Sequence, residues 1–162
     1  MTHGDFSAEG GCACRTVRYL MSAPPIIVHC CHCRWCQRET GSAFVLNALV
    51  ESDRVRLLAG EPALVLTPSE SGKGQTIARC PACGVALWSH YGAAGEKINF
   101  MRVGAFDEPD RFPPDIHIYT DSKQPWVALA DGKPTRGQFY NPAELWPAAS
   151  LERFRAVLDH DA

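Results

Sequence analysis

Eight cysteines fall in three tight groups along the chain: Cys12 with Cys14; Cys30, Cys31, Cys33 and Cys36; and Cys80 with Cys83. Sulfur at these spacings is metal chemistry. A tetrahedral ion needs ligands a few residues apart, so that one turn aims two sulfurs at a point. A disulfide needs Cα atoms about 5.5 Å apart and a particular dihedral, which C-x-C neighbours satisfy poorly. Thiolates without a ferredoxin-type run favour zinc. The rival reading is a secreted disulfide scaffold. Residues 1–11 are polar, carry His3, Asp5 and Glu9, and contain no apolar signal-peptide stretch. Reduced thiols in a cytoplasmic protein are therefore expected.

A structural zinc takes four ligands in a closed shell, and a catalytic zinc keeps three ligands and an open position. The outer pairs, Cys12/Cys14 and Cys80/Cys83, suit one closed site that staples an early strand to the 80–83 turn. Gly10, Gly11 and Gly84 would relieve the backbone where it wraps that ion. Cys31, Cys33 and Cys36 suit a second zinc, whose fourth vertex is left to water, a substrate thiolate, Cys30 or a distant histidine. Adjacent side chains diverge along an extended chain, which makes Cys31 the ligand and Cys30 a packed thiol. Zinc on three thiolates is electron-rich. It is a weak source of hydroxide, but an incoming thiol there can lose its proton and stay nucleophilic. Attack on an aldehyde carbon gives an S-hydroxyalkyl adduct, and the reverse is carbon–sulfur lysis. The competing function is a non-catalytic zinc-scaffold binding module in which both zincs are structural.

Around the middle group, Arg34 and Arg38 could receive a substrate carboxylate, and Glu39 could shuttle a proton. His32, between two ligands, is expected to point outward. His117 is expected to be a hydrogen-bonded strand histidine that could line the pocket with Lys123 and Trp126. Trp35 and Trp88 are assigned to the core. His3, His90 and His160 have no evident partner.

The elements that must position these groups are mostly strands. Short apolar runs cover residues 15–20, 26–28, 44–50, 55–58, 63–67, 75–79, 85–89, 98–103 and 116–119. Turn residues 60–62 predict a hairpin of 55–58 with 63–67, and 80–84 predict one of 75–79 with 85–89. Residues 34–40 predict a helical turn. Residues 147–160 predict a helix presenting Leu151, Phe154, Val157 and Leu158 on one face, with Ser150 as its cap. The expected fold is mainly β, a β-rich α+β domain. Its 162 residues suit a single domain, with a core over about 10–127 and a helical extension over 128–162. A net charge of −2 leaves no basic footprint for nucleic acid, and no apolar run approaches the ~20 residues of a membrane span.

The chain also resembles a known family. Gly11-Cys-Ala-Cys14 with Val17 and Tyr19, the run from Cys31 to Cys36 with Gly41 and Phe44, and Cys80-Pro-Ala-Cys-Gly84 are similar to motifs of the glutathione-dependent formaldehyde-activating enzymes, a family that includes centromere protein V. Val103 to Asp107, His117 to Lys123, and Pro125-Trp126 match later signatures. Arg15 departs from them, since glycine is common there. The resemblance implies a β-tent fold, a structural zinc on Cys12, Cys14, Cys80 and Cys83, and a catalytic zinc on Cys31, Cys33 and Cys36. It also implies a small thiol partner such as glutathione, with formaldehyde converted to S-hydroxymethylglutathione.

Overall fold

The structure is a computed structural model that describes residues 6–92 and 94–159. Ten strands run in chain order: β1 Ala8–Gly11, β2 Arg18–Met21, β3 Ile27–Cys31, β4 Val45–Glu51, β5 Val55–Ala59, β6 Ala63–Thr67, β7 Gln75–Arg79, β8 Ala86–Tyr91, β9 Ile98–Arg102 and β10 Ile116–Ile118. Two α-helices join them, α1 Arg34–Thr40 and α2 Ala148–Asp159. The β-rich class with a C-terminal helix is the one expected.

The strands form two sheets. One has the order β1-β2-β5, and the other β10-β3-β4-β9-β8-β7-β6. All pairings are antiparallel except β10 with β3. Alternation along β4 divides the core: Ala48 and Val50 pack with β1 and β2 residues such as Ala8, Tyr19 and Met21, while Val45 and Leu49 face the α2 side. Within β3 all five residues are buried, so the strand is covered on both faces.

The hairpin expected across residues 60–62 does not form. β5 pairs with β2, matching Met21 to Val55 and Leu20 to Arg56, while β6 pairs with β7. Those turn residues instead carry the chain from one sheet to the other. The 75–79/85–89 hairpin does form, as β7 and β8. β1 was not expected, because Ala-Glu-Gly-Gly has no β-branched residue to signal a strand. The run 15–20 begins too early: β2 starts at Arg18, and the residues before it belong to a turn.

Helix α2 lays the expected face, Leu151, Phe154, Val157 and Leu158, on the second core cluster. Its predicted end at His160 lies outside the described residues, as does His3. Ser150 is not its cap. It lies inside the helix, where its hydroxyl donates to the Ile26 carbonyl at 2.6 Å. The extension is also tied down by Trp146, whose Nε1–H donates to the Tyr140 hydroxyl at 2.5 Å; that hydroxyl lies 2.8 Å from His29 Nε2.

Arg153 of α2 holds Glu51 of β4 with two contacts, 2.8 and 2.6 Å. Burial pushes the Glu51 carboxyl up, but the Arg153 guanidinium outweighs it and the net direction is down. A carboxyl depressed in the folded state stabilises fully above its unfolded pKa of about 4.3, and the contribution disappears as pH falls through the lower folded value. Glu51→Gln is therefore expected to melt several degrees below wild type at pH 7, with the gap closing below about pH 4. Thermal unfolding across pH checks this, and a gap that widens in acid would contradict it. Among the described residues, no helix is long and apolar enough to cross a membrane.

Candidate metal centres

All eight cysteines are free. Cys12 and Cys14 lie in the turn joining β1 to β2, and Cys80 and Cys83 in the turn joining β7 to β8. The first turn is closed by Cys12 N–H to the Val17 carbonyl at 3.1 Å and Arg15 N–H to the Cys12 carbonyl at 3.0 Å. Val17 N–H donates to Cys12 Sγ at 3.3 Å. Arg15 stands at φ +64°, the left-handed region that favours glycine, which explains why glycine suits this position. In the second turn Gly84, at φ +76°, brings its N–H back to the Cys80 carbonyl at 2.9 Å. Gly10 and Gly11 are needed for close packing. A Cβ on Gly10 would lie 2.5 Å from the Tyr19 hydroxyl, and one on Gly11 would lie 2.3 Å from the Val17 carbonyl. They permit the close approach of β1 to β2 and to the turn residue Val17.

The two turns meet. Cys14 Sγ lies 3.5 Å from Cys12 Sγ and 3.6 Å from Cys80 Sγ, and all four sulfurs fall within 4.8 Å of one another. Tetrahedral zinc–sulfur bonds would space sulfurs about 3.8 Å apart. The donor set and its spacing fit a closed four-thiolate site that bridges the two sheets.

At the end of β3, alternation distributes four consecutive residues. Cys31 points into the second core cluster, and Cys33, extended at φ −67° and ψ 154°, caps α1 by accepting Cys36 N–H at 3.3 Å. One turn of α1 then brings Cys36 Sγ to 3.5 Å from Cys31 Sγ. The sulfurs of Cys31, Cys33 and Cys36 lie within 4.8 Å of one another. Hydrogen bonds from Cys31, then Cys36, hold the Cys33 thiol far down, while Cys31 is pushed well up by its bond to Cys33, then Cys36, and by burial. A bound cation would favour the thiolate form of all three. The set fits a zinc with three protein ligands.

Cys30 and His32 emerge on the other face. Cys30 Sγ lies 3.4 Å from His32 Nε2, which lies 3.1 Å from His117 Nδ1. His117 Nε2 is 2.8 Å from an Asp131 carboxylate oxygen. His32 does not point outward: it is fully buried, and burial first, then the neighbouring His117 and Lys123, brings its pKa down to about 4. Cys30 is a buried thiol, as expected, raised to about 12 by burial. Its sulfur faces the His32 imidazole.

A family model, that of the glutathione-dependent formaldehyde-activating enzyme, matches residues 7–122. The chain belongs to this family. The matched span contains every cysteine of the three groups. No curated protein matches the chain. The crystal structure of a Rhodobacter sphaeroides protein is similar over 78% of this chain and 97% of its own, at 15% identity and a TM-score of 0.44.

In this family member, the groove beside the middle cysteines is built by α1. It has a volume of about 840 Å³ and is lined by Arg34, Gln37, Arg38, Gln124 and Trp126, among others. Arg34 Nη1 donates to Gln37 Oε1 at 2.9 Å, and Gln124 Nε2 donates to the same oxygen at 2.7 Å. Of the three residues expected together in the pocket, only Trp126 lines the groove; His117 and Lys123 do not. Glu39 is not placed to shuttle protons. Its carboxylate is nearly buried and is held by Arg79 and, at 3.3 Å, by Arg102. Trp88 is core and Trp35 packs against the second cluster, while His90 has found Asn99 Oδ1 at 2.6 Å.

Proposed function

We propose that the chain is a zinc-dependent carbon–sulfur lyase acting on a thiol–aldehyde adduct, with glutathione plus formaldehyde giving S-hydroxymethylglutathione as the leading case. Family membership supports the glutathione and formaldehyde chemistry, and the observation that carries the reading is the unequal pair of cysteine sets. Cys12, Cys14, Cys80 and Cys83 would hold a structural zinc. Cys31, Cys33 and Cys36 would hold the catalytic one. When bound there, zinc supplies Lewis acidity that keeps a substrate thiol deprotonated near neutral pH. Cys33 anchors this set to α1 through the Cys36 N–H, so its position follows the helix. Arg34 and Arg38, one turn apart on that helix, present guanidinium groups to the groove and suit the carboxylates of a tripeptide thiol. Trp126, 75% exposed, offers an apolar wall at the groove's rim.

A second reading, a binding module with both zincs structural, is favoured by one observation. Cys31, Cys33 and Cys36 are each no more than 5% exposed, and none lines the groove. One experiment separates the two readings. Wild-type protein should accelerate exchange between glutathione with formaldehyde and their adduct, read by exchange NMR. Cys33→Ser should lose one zinc and that acceleration while keeping its circular dichroism. An inactive wild type with a full complement of zinc selects the binding module.

A further inference from the structure

We propose that Cys30, His32 and His117 form a third metal site, for a borderline-soft divalent cation of the zinc class. It is separate from both cysteine centres and independent of the lyase reading. Strand geometry builds it. In the parallel pairing of β10 with β3, His117 lies opposite Cys30, so the two side chains leave neighbouring strands side by side. His32 follows Cys30 by two residues and shares its face, while Cys31 and Cys33 take the other. The three donor atoms lie within 4.8 Å of one another and their residues are between 0 and 6% exposed.

The spacing suits an ion. Ordinary zinc bond lengths in a tetrahedron put two nitrogens about 3.3 Å apart and a sulfur about 3.5 Å from a nitrogen. The observed separations are 3.1 Å between the imidazoles and 3.4 Å from Cys30 Sγ to His32 Nε2. Asp131 supplies a second observation. Its carboxylate lies 2.8 Å from His117 Nε2, so that nitrogen is engaged outside the cluster while Nδ1 faces His32. A carboxylate behind a ligating imidazole is the recurring outer layer of metal sites.

The three groups aim a thiol sulfur and two imidazole nitrogens at one buried point. One cation accepts all three lone pairs at once. One sulfur with two imidazoles is a borderline donor set, for which zinc is the fit. The site would tie β3 to β10 and, through Asp131, to the segment beyond residue 127.

Cadmium-113 NMR of the cadmium-loaded full chain, paired with zinc analysis, tests this. The proposal expects one zinc beyond those held by the cysteine centres, and one resonance shifted well upfield of any sulfur-rich ones by its nitrogen ligands. Cys30→Ala and His117→Ala should each lose that resonance and one zinc, and Asp131→Asn should weaken the same site by about 10- to 100-fold. Loss of a three-sulfur resonance with the mixed one retained would sink the lyase reading and leave this proposal standing. A wild-type spectrum holding only sulfur-rich resonances overturns the proposal, whether or not the variants fold. So does a third zinc that survives both alanine substitutions.

Discussion

Cys80→Ser is expected to unfold the chain or render it insoluble. Cys80 sits in the turn between β7 and β8 of the larger sheet, and its proposed co-ligand Cys14, 3.6 Å away, sits between β1 and β2 of the smaller one. With a zinc bound, the four-sulfur set would act as a clasp between sheets, closing a chain segment of some seventy residues. A structural zinc contributes on the order of 10 kcal/mol, comparable to the whole 5–15 kcal/mol stability of an ordinary domain. Losing a buried thiol without any metal would cost only about 1 kcal/mol. The two cases therefore differ by roughly an order of magnitude, which thermal melting resolves at once. A Cys80→Ser protein that melts with the wild type would reject the clasp. Cys33→Ser offers the contrast, because its site lies within residues 31–36 and closes no long segment.

Glu39→Ala should destabilise by about 3–5 kcal/mol, read by urea unfolding. Glu39 of α1 joins Arg79 of β7 and Arg102 of β9, and Arg102 also holds Asn47 of β4 and, at 2.9 Å, Ser89 of β8. The side chains of Glu39 and Arg102 are both only 7% exposed. Removing the carboxylate strands a buried guanidinium with neutral partners only. Arg102→Met should cost less, about 1–3 kcal/mol, because Glu39 keeps Arg79, whose side chain reaches solvent. Equal losses in the two variants would show that the charge on Arg102 is not what the site must balance. Because α1 contains Cys36 and is capped by Cys33, this network ties the helix beside the middle cysteines to β7 and β9.

The cysteine spacing carried the candidate sites a long way. Pairs two or three residues apart occupy single turns, and a turn is local enough to be legible without knowing its neighbours. The hairpin at 80–84 was legible for the same reason, with Gly84 marking its left-handed corner. The turn at 60–62 carried an equally good signal and misled. Turn chemistry says that the chain bends, but not whether the next strand returns to the same sheet, and here β6 leaves for the other.

His32 marks the boundary most sharply. Period-two alternation from Cys30 to Cys33 was readable and splits those four residues between two faces. It could have placed His32 beside Cys30, away from the cysteine ligands. What no local pattern supplied was the other half of that face. His117 is 85 residues away and reaches Cys30 only because β10 adds to β3 in parallel, and Asp131 arrives from a segment without regular structure. Which residues can share a turn or a strand face is legible locally, because backbone geometry sets those relations over a few residues. Which face meets which was decided by the tertiary structure alone, since strand partners and register are chosen by packing the whole core at once.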